Sequence, residues 1–132
     1  MKHMLDTNIV SHLFKRHPGV VNRMTNLTPA NVCISSITEA ELLYGADKKQ
    51  SVGLKETIRK FLSTITIYDW DSDAAAAYGK LRASMEKRGK VMGDLDQLIA
   101  AHALSRGTTI VTNDRAFAMV QELTIEDWTT AA

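Results

Sequence analysis

The chain has 132 residues, 45% of them hydrophobic and 23% charged, the size and composition of one globular domain spanning residues 1–132. Sixteen basic and fifteen acidic residues leave a net charge of +1, which excludes a protein that holds nucleic acid mainly by bulk charge. A single cysteine, Cys33, excludes an intrachain disulfide, and its neighbours Val32 and Ile34 mark it as a buried strand thiol.

In chain order, the pattern predicts a short first strand over residues 2–5. Residues 8–15 read as a helix, with Ile9, Leu13 and Phe14 at helical spacing, broken at Pro18 and Gly19. A second short helix follows over 20–27. Thr28 and Pro29 lead into a strand over 31–35, then a helix over 36–46. Gly53 separates it from a helix over 54–62, where Leu54, Ile58, Phe61 and Leu62 recur at i, i+4, i+7 and i+8. The β-branched alternation of 64–68 predicts a strand. An alanine-rich helix over 71–88 ends at Gly89, and another over 94–105 ends at Arg106 and Gly107. A strand over 108–112, a short helix over 115–120 and a fifth strand over 123–125 complete the series. Disorder is expected only over residues 129–132. Strands alternating with helices predict an α/β fold, a parallel sheet covered on both faces, with ligands beyond the carboxyl ends of the strands.

The acids are read against that end of the sheet. Asp6 follows the first strand and opens a helix, so it is either an N-cap or a site carboxylate; Thr7 and Asn8 cap equally well. Ser36 and Glu39 fit a capping box, which leaves Glu41 inside the helix, on its outer face or in a site. Asp94 and Gln97 fit a second box. Asp94 and Asp96 lie roughly 200° apart around a helix, so a capping Asp94 leaves Asp96 free for a site. Asp114 follows the fourth strand, as a cap or as a ligand, and Thr112 and Asn113 compete for the cap. Carboxylates gathered at one point repel one another and raise their own pKa values unless a divalent cation neutralises them. Oxygen-only donors suit Mg²⁺ or Mn²⁺, whereas four scattered histidines and one cysteine offer no zinc spacing. His102 lies roughly 240° from Asp96 on its helix and reads as a core or surface histidine.

Four segments, in order, resemble the PIN-domain family and, within it, the VapC-type toxins. They are Met4-Leu5-Asp6-Thr7-Asn8; residues 34–38 running into Glu41-Leu42-Leu43-Tyr44-Gly45; Gly93 with residues 96–103; and residues 110–117. Residues 125–128 also resemble the ending of close relatives. The resemblance implies a PIN-like three-layer α/β/α fold with a central, mostly parallel sheet of four to five strands. It implies Asp6, Glu41, Asp96 and Asp114 as the catalytic acids, with Asp6 and Asp96 on Mg²⁺ or Mn²⁺. Either Asp114 or Asn113 completes the set, Asp94 stands behind it, and Thr7 and Thr112 orient carboxylates. Asn8 belongs to the first segment.

The implied activity is that of a toxin of a toxin–antitoxin pair, a metal-dependent endoribonuclease with transfer RNA as a target. The implied partners are a cognate VapB-type antitoxin, a second copy in a homodimer, and larger toxin–antitoxin assemblies. Leu13, Phe14, Phe61 and Leu62 are candidate contacts for that partner, or core residues. The cations Lys48, Lys49, Lys55, Arg59 and Lys60, then Arg82, Lys87, Arg88 and Lys90, are candidate phosphate contacts or plain solvated helix faces. The N-terminal residues lack the apolar run of a signal peptide and no stretch suits a membrane span, so a cytoplasmic location is expected. The alternatives are a PIN-like scaffold that binds RNA or protein without catalysis, and an RNA-processing PIN nuclease that is no toxin. A haloacid-dehalogenase phosphatase needs an Asp where Asn8 stands, and a receiver domain needs an acidic pair and a lysine that are missing.

Overall fold

Side chains alternate across a strand, so each short strand here feeds two cores at once. In the computed structural model, which describes residues 2–130, β1 (His3–Leu5), β2 (Val32–Ser35), β3 (Thr66–Tyr68), β4 (Thr109–Val111) and β5 (Ile125–Glu126) form one sheet. Its order is β3-β2-β1-β4-β5 and every pairing is parallel. Met4, Cys33 and Ile110 face α5 (Ser72–Lys87) and α6 (Asp94–Arg106), joining Met85, Ile99 and Phe117 in one core. Leu5, Val32, Ile34 and Val111 face the other way. There they meet α1 (Thr7–Phe14), α2 (Pro18–Thr25), α3 (Ser36–Lys49) and α4 (Val52–Leu62) through Ile9, Val20, Leu42 and Ile58. The result is three layers, helices on both faces of a five-stranded parallel sheet. Leu13, Phe14, Phe61 and Leu62 pack, partly buried, against this second core, with the rings of Phe14 and Phe61 5.5 Å apart.

Strand order reverses between β1 and β4, because β2 and β3 extend one side of β1 and β4 and β5 the other. At such a switch point the loops diverge and leave a crevice at the carboxyl ends of the strands. Asp6 stands there, its N–H donating to the Val111 carbonyl at 3.0 Å. Cys33 is fully buried, and burial pushes its thiol up to about 11, so it is chemically inert. Among the described residues, no helix is long and apolar enough to cross a membrane.

Several element boundaries differ from the sequence expectation. The helix breaks before Pro18 as expected, but α2 begins two residues early: Pro18 stands in its first turn, where its missing N–H costs nothing, and the His17 Nδ1 accepts from the Gly19 N–H. Gly53 lies inside α4, which is capped by Ser51 accepting from the Leu54 N–H. Helix α3 continues to Lys49 because Gln50 itself adopts the left-handed conformation (φ 50°) that closes it. Beyond β5, Thr129 is ordered: its N–H and hydroxyl both donate to Asp127 Oδ1, at 2.8 and 2.6 Å. The Thr130 hydroxyl donates to the Asp127 carbonyl at 3.0 Å, and only Ala131 and Ala132 of the expected loose end lie outside the described residues.

The tail also explains Gly19. A Cβ there would sit 2.5 Å from the backbone carbonyl oxygen of Trp128, whose ring is buried in the second core. Gly19→Ala is therefore expected to push the tail off α2 and destabilise the chain by about 1–3 kcal/mol, read as a lower urea midpoint at unchanged slope. An unchanged midpoint would show that the tail adjusts at no cost.

Candidate active site

Each of the four acids is delivered by the start of a helix or turn at the carboxyl edge of the sheet. Asp6 is the N-cap of α1, its Oδ1 accepting from the Ile9 N–H at 2.9 Å. Asp114 caps the 3-10 turn Arg115–Met119, its Oδ1 accepting from the Ala116 N–H at 2.9 Å. Two of the four acids are thus caps, one of the two readings left open for Asp6 and Asp114, and the competing Thr7, Asn8, Thr112 and Asn113 do not take that position. The roles are compatible, since a cap uses one carboxylate oxygen and leaves the other.

Asp96 is in the first turn of α6, and Glu41 is in the second turn of α3. Both expected capping boxes are displaced by one residue. Ser35, not Ser36, caps α3, with its Oγ accepting from the Ile37 N–H at 3.1 Å. The Ser36 Oγ instead accepts from the Trp70 N–H at 3.1 Å. Gly93, not Asp94, is the N-cap of α6, with no side-chain cap. The amide of Gln97 donates back to the Met92 carbonyl at 2.8 Å, which fixes the same corner by another route.

Two hydroxyls hold two of the acids. Thr112 Oγ1 donates to Asp6 Oδ2 at 2.5 Å and accepts from the Asp114 N–H at 3.0 Å, tying the first and fourth strand ends together. Thr7 Oγ1 donates to Glu41 Oε1 at 2.6 Å, tying α1 to α3.

The electrostatics show that the four acids share one field. Asp6 is 3% exposed, and its pKa is raised from 3.8 to about 6, first by burial. The Thr112 and Ile9 hydrogen bonds pull it down, while the charges of Asp114 and Glu41 push it up. Asp96 is also raised to about 6, again first by burial and then by Asp114, Asp6 and Glu41. Of the neighbours Asn113 and Asp114, it is Asp114 whose charge reaches the others. Asn113 is exposed, its amide nitrogen 3.3 Å from His12 Nε2. Asp94 stands exposed at the start of α6, and its charge acts on Arg82 of α5. Asn8 is exposed on the first turn of α1.

The donors on offer are oxygens. Among the described residues, no three Asp, Glu, His or Cys side chains are gathered closely enough to hold a metal ion together. A hard ion such as Mg²⁺, which keeps most of its waters, needs only one or two carboxylates.

Two fully buried polar side chains nearby had no obvious sequence signal. Ser35, at the end of β2, has its Oγ 2.7 Å from His102 Nδ1, linking the strand that leads to Glu41 with the helix that carries Asp96. His102 is thus a core residue, and burial lowers its pKa, so it stays neutral. Thr38, one turn before Glu41, is buried with its hydroxyl unpaired. The doubled serine at positions 35 and 36 was the visible hint; nothing in the pattern distinguished Thr38.

Comparison with known proteins meets this geometry. The chain is 44% identical over 130 residues to the tRNA(fMet)-specific endonuclease VapC of Shigella flexneri, covering 97% of this chain and 98% of that one. It is 42% identical over the same span to ribonuclease VapC2 of Haemophilus influenzae. Among solved structures, that of VapBC2 from Rickettsia felis bound to a promoter DNA fragment has a chain that superposes with a TM-score of 0.89 at 36% identity. The match covers 97% of this chain and 99% of that chain. A chain of DNA-bound VapBC from Salmonella typhimurium gives 0.87 at 39%, over 97% and 98% of the two chains. The profile of the PIN domain matches residues 3–123, from the first strand to the threshold of the fifth, and takes in all four acids. With the parallel sheet, the acids at its switch point and relatives of the same length all in agreement, this chain belongs to the PIN-domain family.

Proposed function

We propose that the chain is the toxin of a toxin–antitoxin pair, an endoribonuclease that hydrolyses RNA phosphodiester bonds with Mg²⁺ or Mn²⁺. The observation that carries this reading is that burial, with the charges of the neighbouring acids added to it, lifts both Asp6 and Asp96 to about 6. Such a cluster is costly by itself and is relieved by a divalent cation. Asp6 and Asp96 would hold the ion, with Glu41 and Asp114 completing the acidic wall. When bound, the ion supplies Lewis acidity, polarising the scissile phosphate and lowering the pKa of an attacking water.

The chain's own residues supply position. Thr112 holds Asp6 and the Asp114 turn in register, and Thr7 holds Glu41. Proton transfer is not assigned to a histidine, because His102 is buried on Ser35 and His12 lies against Asn113. Transfer RNA is the proposed substrate class, on the strength of the Shigella relative's name. A VapB-type antitoxin is the proposed partner, as in the VapBC complexes that superpose here. A homodimer, assembly with the antitoxin into larger complexes, and residence in the cytoplasm complete the reading.

The test is cleavage of transfer RNA by the purified, antitoxin-free chain. Discrete fragments are expected with Mg²⁺ or Mn²⁺, loss of cleavage with chelator, and recovery when the ion is restored. Cleavage that persists in chelator would sink the metal-dependent mechanism. Intact RNA at every metal concentration would point to a binding scaffold.

A further inference from the structure

Helix α3 carries more than Glu41 on its outer stripe. Glu41, Tyr44, Gly45 and Lys48 are spaced i, i+3, i+4 and i+7, so they run along one side of the helix, away from the acidic site. Tyr44 is 64% exposed, among the few large apolar side chains left in water among the described residues. The Lys48 ammonium lies 5.8 Å from the Tyr44 ring centre, while the nearby Asp47 carboxylate is taken by Lys55 at 2.9 Å. Gly45 completes the stripe. A Cβ added there meets nothing within 4 Å, so neither packing nor backbone conformation within the chain requires a glycine at this place. Glycine inside a helix is nonetheless less stable than alanine. The space it leaves lies beside an exposed ring, next to a cation, one turn from a site acid.

We propose that Tyr44 is a stacking platform for an unpaired RNA base flanking the scissile phosphate, with Gly45 as the open floor and Lys48 holding the adjoining phosphate. The proposal rests on the nuclease reading above. Single-stranded nucleic acid is held in this way generally, by an aromatic face for the base and a cation for the backbone. Lys48 also compensates for a charge problem: a phosphate approaching the acidic cluster is repelled, and a fixed cation on the approach offsets part of that repulsion. Three arginines named as candidate phosphate contacts are already engaged. Arg59 pairs with Glu56, Arg82 with Glu86, and Arg88 with the Met119 carbonyl.

The test uses the full chain and a short single-stranded RNA containing the cleavage site, with 2-aminopurine beside the scissile phosphate. Tyr44→Ala is expected to raise KM about tenfold with kcat nearly unchanged, and Tyr44→Phe to stay within about twofold of the parent. Gly45→Leu, which has room to fold, should raise KM similarly. Lys48→Gln should raise KM and flatten its salt dependence by about one phosphate contact. The 2-aminopurine emission quenched by the parent should recover in Tyr44→Ala. An unchanged KM in Tyr44→Ala and Gly45→Leu beside an active parent overturns the platform and leaves the nuclease standing. Equal losses in Tyr44→Phe and Tyr44→Ala overturn it too, since a hydroxyl would then be the contact. A smaller particle mass for Tyr44→Ala by light scattering also overturns it, by showing that the ring is covered by a second copy. Failure of the parent to bind or cut any RNA removes the nuclease reading and the platform together.

Discussion

Asp96→Asn is expected to lower RNA cleavage a hundred- to thousandfold while raising the melting temperature of the metal-free chain at pH 7.5. The first effect follows from its place in the proposed centre, since asparagine keeps the shape but not the charge that would hold a cation. The second follows from the same charge. Burial, Asp114, Asp6 and Glu41 together raise its pKa from 3.8 to about 6. Asp96 is only half-buried and solvent screens part of that cost, so at neutral pH its ionised form opposes folding by roughly 1–2 kcal/mol. Asparagine removes that opposition, and because Asp96 caps no helix the start of α6 keeps its own hydrogen bonds. The gain should appear as several degrees in a thermal melt run in chelator. Asp6→Asn should lose as much activity but gain less stability, because asparagine has one acceptor oxygen for the two bonds that Asp6 accepts from Ile9 and Thr112. Inactive Asp96→Asn that melts below the parent in chelator would show that the carboxylate has a structural partner and that the acids do not crowd one another.

Much of this was visible in the chain. The short apolar and β-branched runs at 32–35, 66–68 and 109–111 mark strands, and their alternation with helices forces a parallel, two-sided sheet. That sheet then dictates where a ligand must sit, and Asp6 and Asp114 follow strands at that edge. The cap positions were harder. Ser35 and Ser36 are chemically identical, and only the packing of Trp70 onto Ser36 and of His102 onto Ser35 decides which one caps. Asp6 and Asp114 were read as caps or ligands, yet a carboxylate has two oxygens and the pattern treats it as having one. Gly19 and Gly53 read as breaks because glycine most often is one. At Gly19 the real constraint is the Trp128 carbonyl, more than a hundred residues away in sequence, which no local window contains. The end of α3 was missed for the opposite reason, since Gln50 fills a left-handed position that glycine usually occupies.

The stability gap between the parent and Asp96→Asn is expected to depend on pH, and its shape identifies the cause. Asp6 and Asp96 have folded-state pKa values of about 6, above the 3.8 of an unfolded chain. Between those values the folded chain binds more protons than the unfolded one, so stability falls as pH rises through that window. His102 works against this. Its pKa is lowered by burial, so it favours the folded chain as pH rises toward its ordinary 6.5. Glu126 and Asp71, both held low by hydrogen bonds and nearby charge, lose their contribution only as pH falls below the ordinary carboxylate range. Comparing parent with variant cancels these other groups. The two melting curves should coincide near pH 4, separate through pH 5 and 6, and stay apart above pH 7. Saturating Mn²⁺ should close the gap at pH 7.5, because a ligand at a hundred times its dissociation constant stabilises the folded chain by about 2.7 kcal/mol, comparable to the opposition it relieves. Below pH 5 Mn²⁺ should add little to the parent's melting temperature, because protons hold the carboxylates against the metal. A gap that stays constant from pH 4 to 8 would mean that the Asp96 charge is not what separates the two proteins. The acids would then be neighbours in sequence logic only, and the metal would have no electrostatic problem to solve.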